Sequence, residues 1–323
     1  MIANFFIWLL ATVFLAIGAG DARAAQVERI GMIHLGGVFS TVVDGLRAGL
    51  KEQGLEEGQQ FTLDVRDLKG DAKAAGGVAQ SFERDKLKLI YTVTAPVTTG
   101  AMKATREIAI VFGVGTDAVA QGYIQSFAQP GGRLTGVQYL AVDLARKRLE
   151  ILKEIIPKLR SIITFYDPAT ATSVEGAKLG RAEAQRLNLK FVEREVNSID
   201  ALNRALDGLK PGEFGAYLYI ADAMIASQAQ RIVDSALAKK LPTMFHDQAL
   251  VARGALASYG QSYYEIGRRS AKYIRQVLGG ASPSNLRVET MDDVELAFNL
   301  DTAKKIRVTI PPNVLARAGK VIR

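Results

Sequence analysis

Apolar and polar positions along the chain fall into two rhythms. Between residues 39 and 53, Phe39, Val43, Leu46 and Leu50 recur at helical spacing on one face, and Gly54 stands where such a helix ends. The run just before it, residues 27–35, is strand-like. Residues 61–68 alternate instead: Leu63 and Val65 fall on one side, Thr62, Asp64 and Arg66 on the other, as in a half-buried edge strand. The same grammar predicts a helix over 71–84, a strand over 87–93, a helix over 98–106 and a strand over 108–114. A short helix reaching Phe127, a turn at Gln129-Pro130-Gly131-Gly132 and a strand over 134–140 follow.

A helix over 142–156, carrying Leu144, Leu149, Leu152 and Ile156, closes at Pro157, and the alternation restarts. Strands are predicted over 161–166, 190–196, 216–220, 243–245 and 255–259. They are separated by helices over 173–187, after Asp200, up to Lys240 and after Phe245, with a final helix over 263–278. Strands alternating with helices imply a parallel sheet covered on both faces, and two such series imply two similar doubly wound α/β lobes. The predicted boundaries are a first lobe over 25–140 and a second over 141–279. The tail, 280–323, holds two short strands over 287–289 and 294–299, a brief helix around Ala303 and Lys304, and Ile310-Pro311-Pro312. It is too short for a domain and is expected to return partly to the first lobe.

The N-terminus changes the picture. Residues 5–19 are an almost unbroken apolar run, shorter than the ~20 residues a membrane span needs, and Ala22-Arg23-Ala24 follows. This predicts a signal peptide over 1–24, cleaved after Ala24, although no Lys or Arg precedes the run. Of 323 residues 48% are hydrophobic, enough for a large core, and the net charge of +8 is scattered among acids rather than gathered in a stripe, so no nucleic-acid partner is expected. The chain has no cysteine and only two histidines, His34 and His246. Thiolate chemistry and multi-histidine metal sites are thereby excluded, and neither a metal nor a cofactor is expected.

Residues 110–122 read IVFGVGTDAVAQG, and Gly113-x-Gly115-x-x-Ala118 has the letters of a dinucleotide fingerprint. The context argues against it. The fingerprint belongs after the first strand of a βαβ unit, with an acid roughly 20 residues on. Here it follows the fourth strand, and Gly136, Val137 and Gln138 occupy that distance. No P-loop and no G-x-S-x-G elbow is present, so the chain is not read as an enzyme.

In an open parallel sheet the ligand crevice lies beyond the carboxyl ends of the strands. Candidate residues there are His34, Thr94, Ala95, Thr116, Asp117, Tyr166, Ser173, Asp222 and Asp247. Hydroxyls and single carboxylates at helix starts suit a small polar ligand bearing a carboxylate, because free backbone N–H groups favour an anion. Each has a plainer reading as well: Asp117, Ser173 and Asp222 as N-caps, His34 and Tyr166 as packed side chains.

Residues over nearly the whole chain also carry a family resemblance. They include Gly45-Leu46-Arg47-Ala48-Gly49-Leu50, Thr116-Asp117 through Thr135-Gly136-Val137, Leu149-Glu150-Ile151-Leu152-Lys153 with Pro157, and Tyr263-Tyr264-Glu265-Ile266-Gly267-Arg268. Together they resemble periplasmic substrate-binding proteins of ABC transporters, of the subfamily with tryptophan- and phenylalanine-binding members. The resemblance implies a type I periplasmic-binding fold, two lobes joined by hinge strands and closing on a small-molecule ligand. It also implies a periplasmic location, a monomer, and a partner permease in the inner membrane. A periplasmic sensor feeding a signalling receptor is the alternative, and a secreted enzyme a more distant one. The chain departs from the family pattern in three places. Thr94-Ala95-Pro96 replaces a frequent Gly-Thr-Pro, Asp167-Pro168 with Thr172-Ser173 replaces Asn-Pro with Asn-Ser, and Ala221-Asp222-Ala223 replaces Thr-Asp-Asn. Fewer polar groups in these places imply a less polar or differently decorated ligand.

Overall fold

The computed structural model describes residues 27–139 and 141–323; the predicted signal peptide lies outside the described residues. In chain order the elements begin with β1 (Glu28–His34), α1 (Ser40–Glu52), β2 (Phe61–Asp67), α2 (Ala75–Arg84), β3 (Leu89–Val93), α3 (Ala95–Ala104), β4 (Ala109–Val114) and β5 (Leu134–Tyr139). They continue with α4 (Leu144–Ile155), β6 (Ser161–Tyr166), α5 (Ala171–Arg186), β7 (Lys190–Glu195), α6 (Ile199–Asp207), β8 (Ala216–Leu218), α7 (Ala223–Ser227) and α8 (Ala229–Ala238). Then come β9 (Thr243–Phe245), α9 (Gln248–Ala252), β10 (Ala257–Gly260), α10 (Tyr263–Leu278), β11 (Glu289–Met291), β12 (Glu295–Asn299), α11 (Leu300–Ile306), α12 (Pro312–Leu315) and β13 (Lys320–Ile322).

One sheet runs β2-β1-β3-β4-β5-β11, the other β7-β6-β8-β9-β10-β12-β13. The pairings are parallel except β10 with β12, so each lobe is a doubly wound α/β unit. All five residues of β3 are buried, as a central strand with helices on both faces requires, whereas edge strand β2 keeps only Phe61 fully inside. In the second lobe Ile163 and Phe165 face one apolar cluster and Ile162 the other, the period-two alternation of a strand between two layers. In both sheets strand order reverses beside the first strand of the lobe, and a crevice opens there.

The chain passes between the lobes three times: after β5, after β10 and after β11. The second passage redistributes the C-terminal elements. Residues 263–278 fall in the second lobe by order along the chain, yet α10 lies on α1 of the first. Small residues bring the two backbones together. A Cβ on Gly45 would stand 1.8 Å from the Tyr264 carbonyl oxygen, one on Gly49 2.3 Å from that of Arg268, and one on Gly267 2.1 Å from that of Val42. The Tyr91 hydroxyl, on β3, donates to Ser270 Oγ at 3.0 Å and ties α10 to the first sheet. Of the tail, β11 alone joins the first sheet, beside β5; β12 and β13 extend the second.

The short helix expected after β4 does not form. Residues 117–122 make turns instead: Gln121 N–H donates to the Asp117 carbonyl, and Gly122, at φ +71°, ends the segment. Among the described residues no helix is long and apolar enough to cross a membrane.

Candidate functional site

The crevices of the two lobes face each other across one cleft, a cavity of about 50 Å³ that is partly open to solvent. The first lobe contributes Phe39, the first turn of α3 (Thr94, Ala95, Pro96), Gly115 and Thr116 after β4, and Tyr139 at the end of β5. The second contributes Thr170 and Thr172 at the start of α5, Tyr219 after β8, and Ala221, Asp222 and Ala223 at the start of α7. Ala141, in the first passage between lobes, and Tyr263, the first residue of α10, complete the wall.

Thr94 is the most constrained of these residues. Its backbone lies at φ 80°, ψ 151°, a region left almost entirely to glycine. It is buried, and its Oγ1 has no hydrogen-bond partner among the described residues; the buried Oγ1 of Thr116 has none there either. The first turn of α3 and that of α5 both reach the cleft, so the positive ends of two helices stand at it from opposite lobes.

Asp222 is buried and its acceptors are largely in use. Oδ1 accepts from the Ile225 N–H at 2.9 Å; Oδ2 accepts from the Asp167 N–H at 2.7 Å and from Ser173 Oγ at 2.8 Å. Burial pushes its carboxyl above the ordinary range, against the pull of these donors. Three bonds against about four acceptor sites leave one free.

Rings form a belt across the junction. Phe39 packs on Tyr263 at 4.9 Å between centroids, and Tyr139 meets the same ring edge-on at 6.0 Å. Tyr263 meets His246 at 5.2 Å, and His246 stacks on Tyr219 at 4.0 Å. The Tyr219 hydroxyl donates to the Asp222 carbonyl and accepts from the Asp222 N–H, both at 3.1 Å, which fixes the ring. Burial, and then the nearby Arg148 charge, push the His246 imidazole well below its usual range, so the ring is neutral.

Of the residues predicted from sequence, Thr94, Ala95, Thr116 and Asp222 line this cleft. Ser173 lies behind Asp222 as its hydrogen-bond donor. The others lie elsewhere. His34 is buried and accepts from the Gly36 N–H through Nδ1. Tyr166 donates to Glu195 on the edge strand β7. Asp247 accepts from the N–H groups of Ala249 and Tyr263, pinning the start of α10. Asp117 is exposed and accepts from the N–H groups of Val119 and Ala120, a turn cap rather than a cleft wall. The nearby glycines serve packing: a Cβ on Gly113 would press on Ile266 and the Tyr91 hydroxyl, and one on Gly115 on Ala141 and Tyr139.

Sequence reasoning missed the rings of Phe39, Tyr139, Tyr219 and Tyr263. Phe39 reads as one more apolar residue of a helix face, and the tyrosines as strand or helix ends. Only their recurrence at those ends was a signal. Among the described residues no cluster of three or more His, Cys, Asp or Glu could hold a metal ion.

Comparison with known proteins adds to this geometry. The model of one family, described as ABC transporter substrate binding protein, matches residues 34–322. A tyrosine-binding protein of Clostridioides difficile is 28% identical over 263 residues, covering 81% of this chain and 75% of its own. A Streptococcus pneumonia domain solved with L-Trp superposes with a TM-score of 0.80 at 24% identity, over 92% of this chain and all of the other. The ligand-free, open structure of a Clostridium difficile substrate-binding protein with adhesive properties superposes with a TM-score of 0.61 at 26% identity, over 92% and 99% of the two chains.

Proposed function

The chain belongs to the ABC transporter substrate-binding protein family, and from that premise we propose that it is the periplasmic solute-binding component of an importer for small aromatic carboxylates, aromatic amino acids first among them. One observation carries the reading. A single cleft joins rings from both lobes to two helix N-termini and to two buried threonine hydroxyls without partners. Rings offer flat apolar contact to an aromatic side chain. The helix starts and hydroxyls offer donors to a carboxylate, and the remaining acceptor site on Asp222 suits an α-amino group. The tyrosine-binding relative and the L-Trp-bound neighbour support this ligand class.

The mechanism that fits is hinge closure. The ligand touches both lobes at once and so stabilises their closed arrangement over the open one. The better match to the L-Trp-bound neighbour than to the open one, at nearly equal identity, supports the reading of this conformation as closed. The closed form is what a permease partner would receive.

Calorimetric titration with L-tryptophan, L-tyrosine and L-phenylalanine, paired with small-angle scattering, tests the proposal. Binding of at least one with compaction of the protein is expected. No binding across a panel of ring-bearing carboxylates, or tight binding without compaction, would overturn it.

A further inference from the structure

Behind the cleft wall sits a cation that no acid among the described residues pairs. Arg148, on α4, is 1% exposed. Its Nε donates to the Tyr259 carbonyl at 2.7 Å, its Nη1 has no partner, and its electrostatic neighbours are Tyr217, Tyr219, Tyr259 and Tyr263 rather than a carboxylate. The guanidinium carbon stands 5.5 Å from the ring centroid of Tyr219, a cleft-wall residue. Gly260 makes room for it: a Cβ there would lie 3.2 Å from Nη2 and 2.2 Å from the His246 carbonyl oxygen.

A buried charge without a counter-charge is strongly unfavourable, and proteins ordinarily resolve it by pairing. The acids in this part of the molecule are already engaged. Asp222 accepts from three donors, Asp247 from two backbone N–H groups. Among the described residues, the buried groups left unmet around Arg148 and the cleft are Arg148 Nη1, Gln261 Nε2, the hydroxyls of Thr94, Thr116, Tyr217 and Ser258, and both ring nitrogens of His246. Arg148 alone among these carries a full charge.

We propose that Arg148 is the specificity-determining charge of the cleft, selecting ligands that carry an ionised carboxylate on the Tyr219 side. The inference rests on the solute-binding reading and deepens it. One ring's depth from the cleft, in surroundings from which water is largely excluded, a fixed positive charge is felt across the wall far more strongly than through solvent. It attracts a carboxylate and disfavours a ligand that has lost one. In the free protein the same charge destabilises.

The test compares acids with their amides, which keep ring and amine and lose the carboxylate. Calorimetry with L-tryptophan against L-tryptophanamide, and L-tyrosine against L-tyrosinamide, is run on the wild type, Arg148→Lys, Arg148→Gln and Arg148→Met. The wild type is expected to prefer the acid by roughly 30-fold or more. The preference should shrink to a few-fold in the Gln and Met variants and be partly rescued in Lys. Arg148→Met should melt no lower than the wild type, because an unpaired buried charge gives way to an apolar chain. An acid preference that survives in Gln and Met overturns the inference, as does equal loss of acid and amide with a lower melting temperature, the signature of a purely structural role. A wild type that binds neither acids nor amides overturns the solute-binding reading and this inference together. A wild type that binds both equally overturns this inference alone.

Discussion

Gly37 of the first lobe and Ser227 of the second meet so closely that a Cβ on Gly37 would stand 2.0 Å from the Ser227 carbonyl oxygen. The contact belongs to the arrangement in which the lobes face each other over the cleft. Gly37→Ala is therefore expected to weaken ligand binding by about tenfold or more, since the closed state must shift to admit a methyl group. The substitution also costs roughly 1–2 kcal/mol locally, because Gly37 sits at φ +59°. Gly54→Ala separates the two effects: it carries the same backbone cost at φ +78° with nothing within 4 Å. Titration calorimetry and thermal melts on the pair should show both variants destabilised and only Gly37→Ala impaired in binding.

Thr94 combines a backbone conformation suited to glycine with a buried hydroxyl that has no partner. Thr94→Gly should raise unfolding stability by about 1 kcal/mol or more through release of that strain. It should weaken ligand binding at the same time, because one donor to the ligand is lost. A drop in stability, measured by chemical denaturation, would show that the threonine methyl packs well enough to outweigh the strain.

Asp117 caps an exposed turn through the N–H groups of Val119 and Ala120. Asp117→Ala should lower stability by about 1 kcal/mol and leave ligand affinity within about twofold. A large loss of affinity at unchanged stability, read by the same two measurements, would return Asp117 to the site.

Acid should destabilise the protein from about pH 6.5 downward. Burial lowers the pKa of both His34 and His246 from 6.5, far more for His246. Below that pH the unfolded chain takes up protons that the folded chain does not, so stability is full above it and declines as pH falls. His246 alone contributes a slope of up to about 1.4 kcal/mol per pH unit. Asp222 and Asp247, raised above 3.8 by burial, act in the opposite sense towards the carboxylate range and flatten the decline there. Denaturation curves between about pH 7.5 and about pH 5.5 should show the slope, and His246→Phe should remove most of it.

The alternation of periods 2 and 3.6 was enough to read the succession of strands and helices, and with it two parallel-sheet α/β lobes. That information is local: whether a segment hides one stripe or a whole strand depends on neighbours a few residues away. The period does not say against what a face is buried. Hence α10 reads as part of the second lobe, while Gly45, Gly49 and Gly267 dock it on the first. The site divides in the same way. Strand ends pointed to Thr94, Ala95, Thr116 and Asp222, because parallel sheets open their crevices there. Nothing local separated Asp222, which caps a helix and lines the cleft, from Asp117, which caps a turn and does not; capping and ligand binding draw on the same residue types. The aromatic belt through Tyr263 and His246, and the burial of Arg148 among tyrosines, arise only when the chain has passed between the lobes and brought distant segments together. Tertiary packing alone decides which rings meet and which charge is left without a partner.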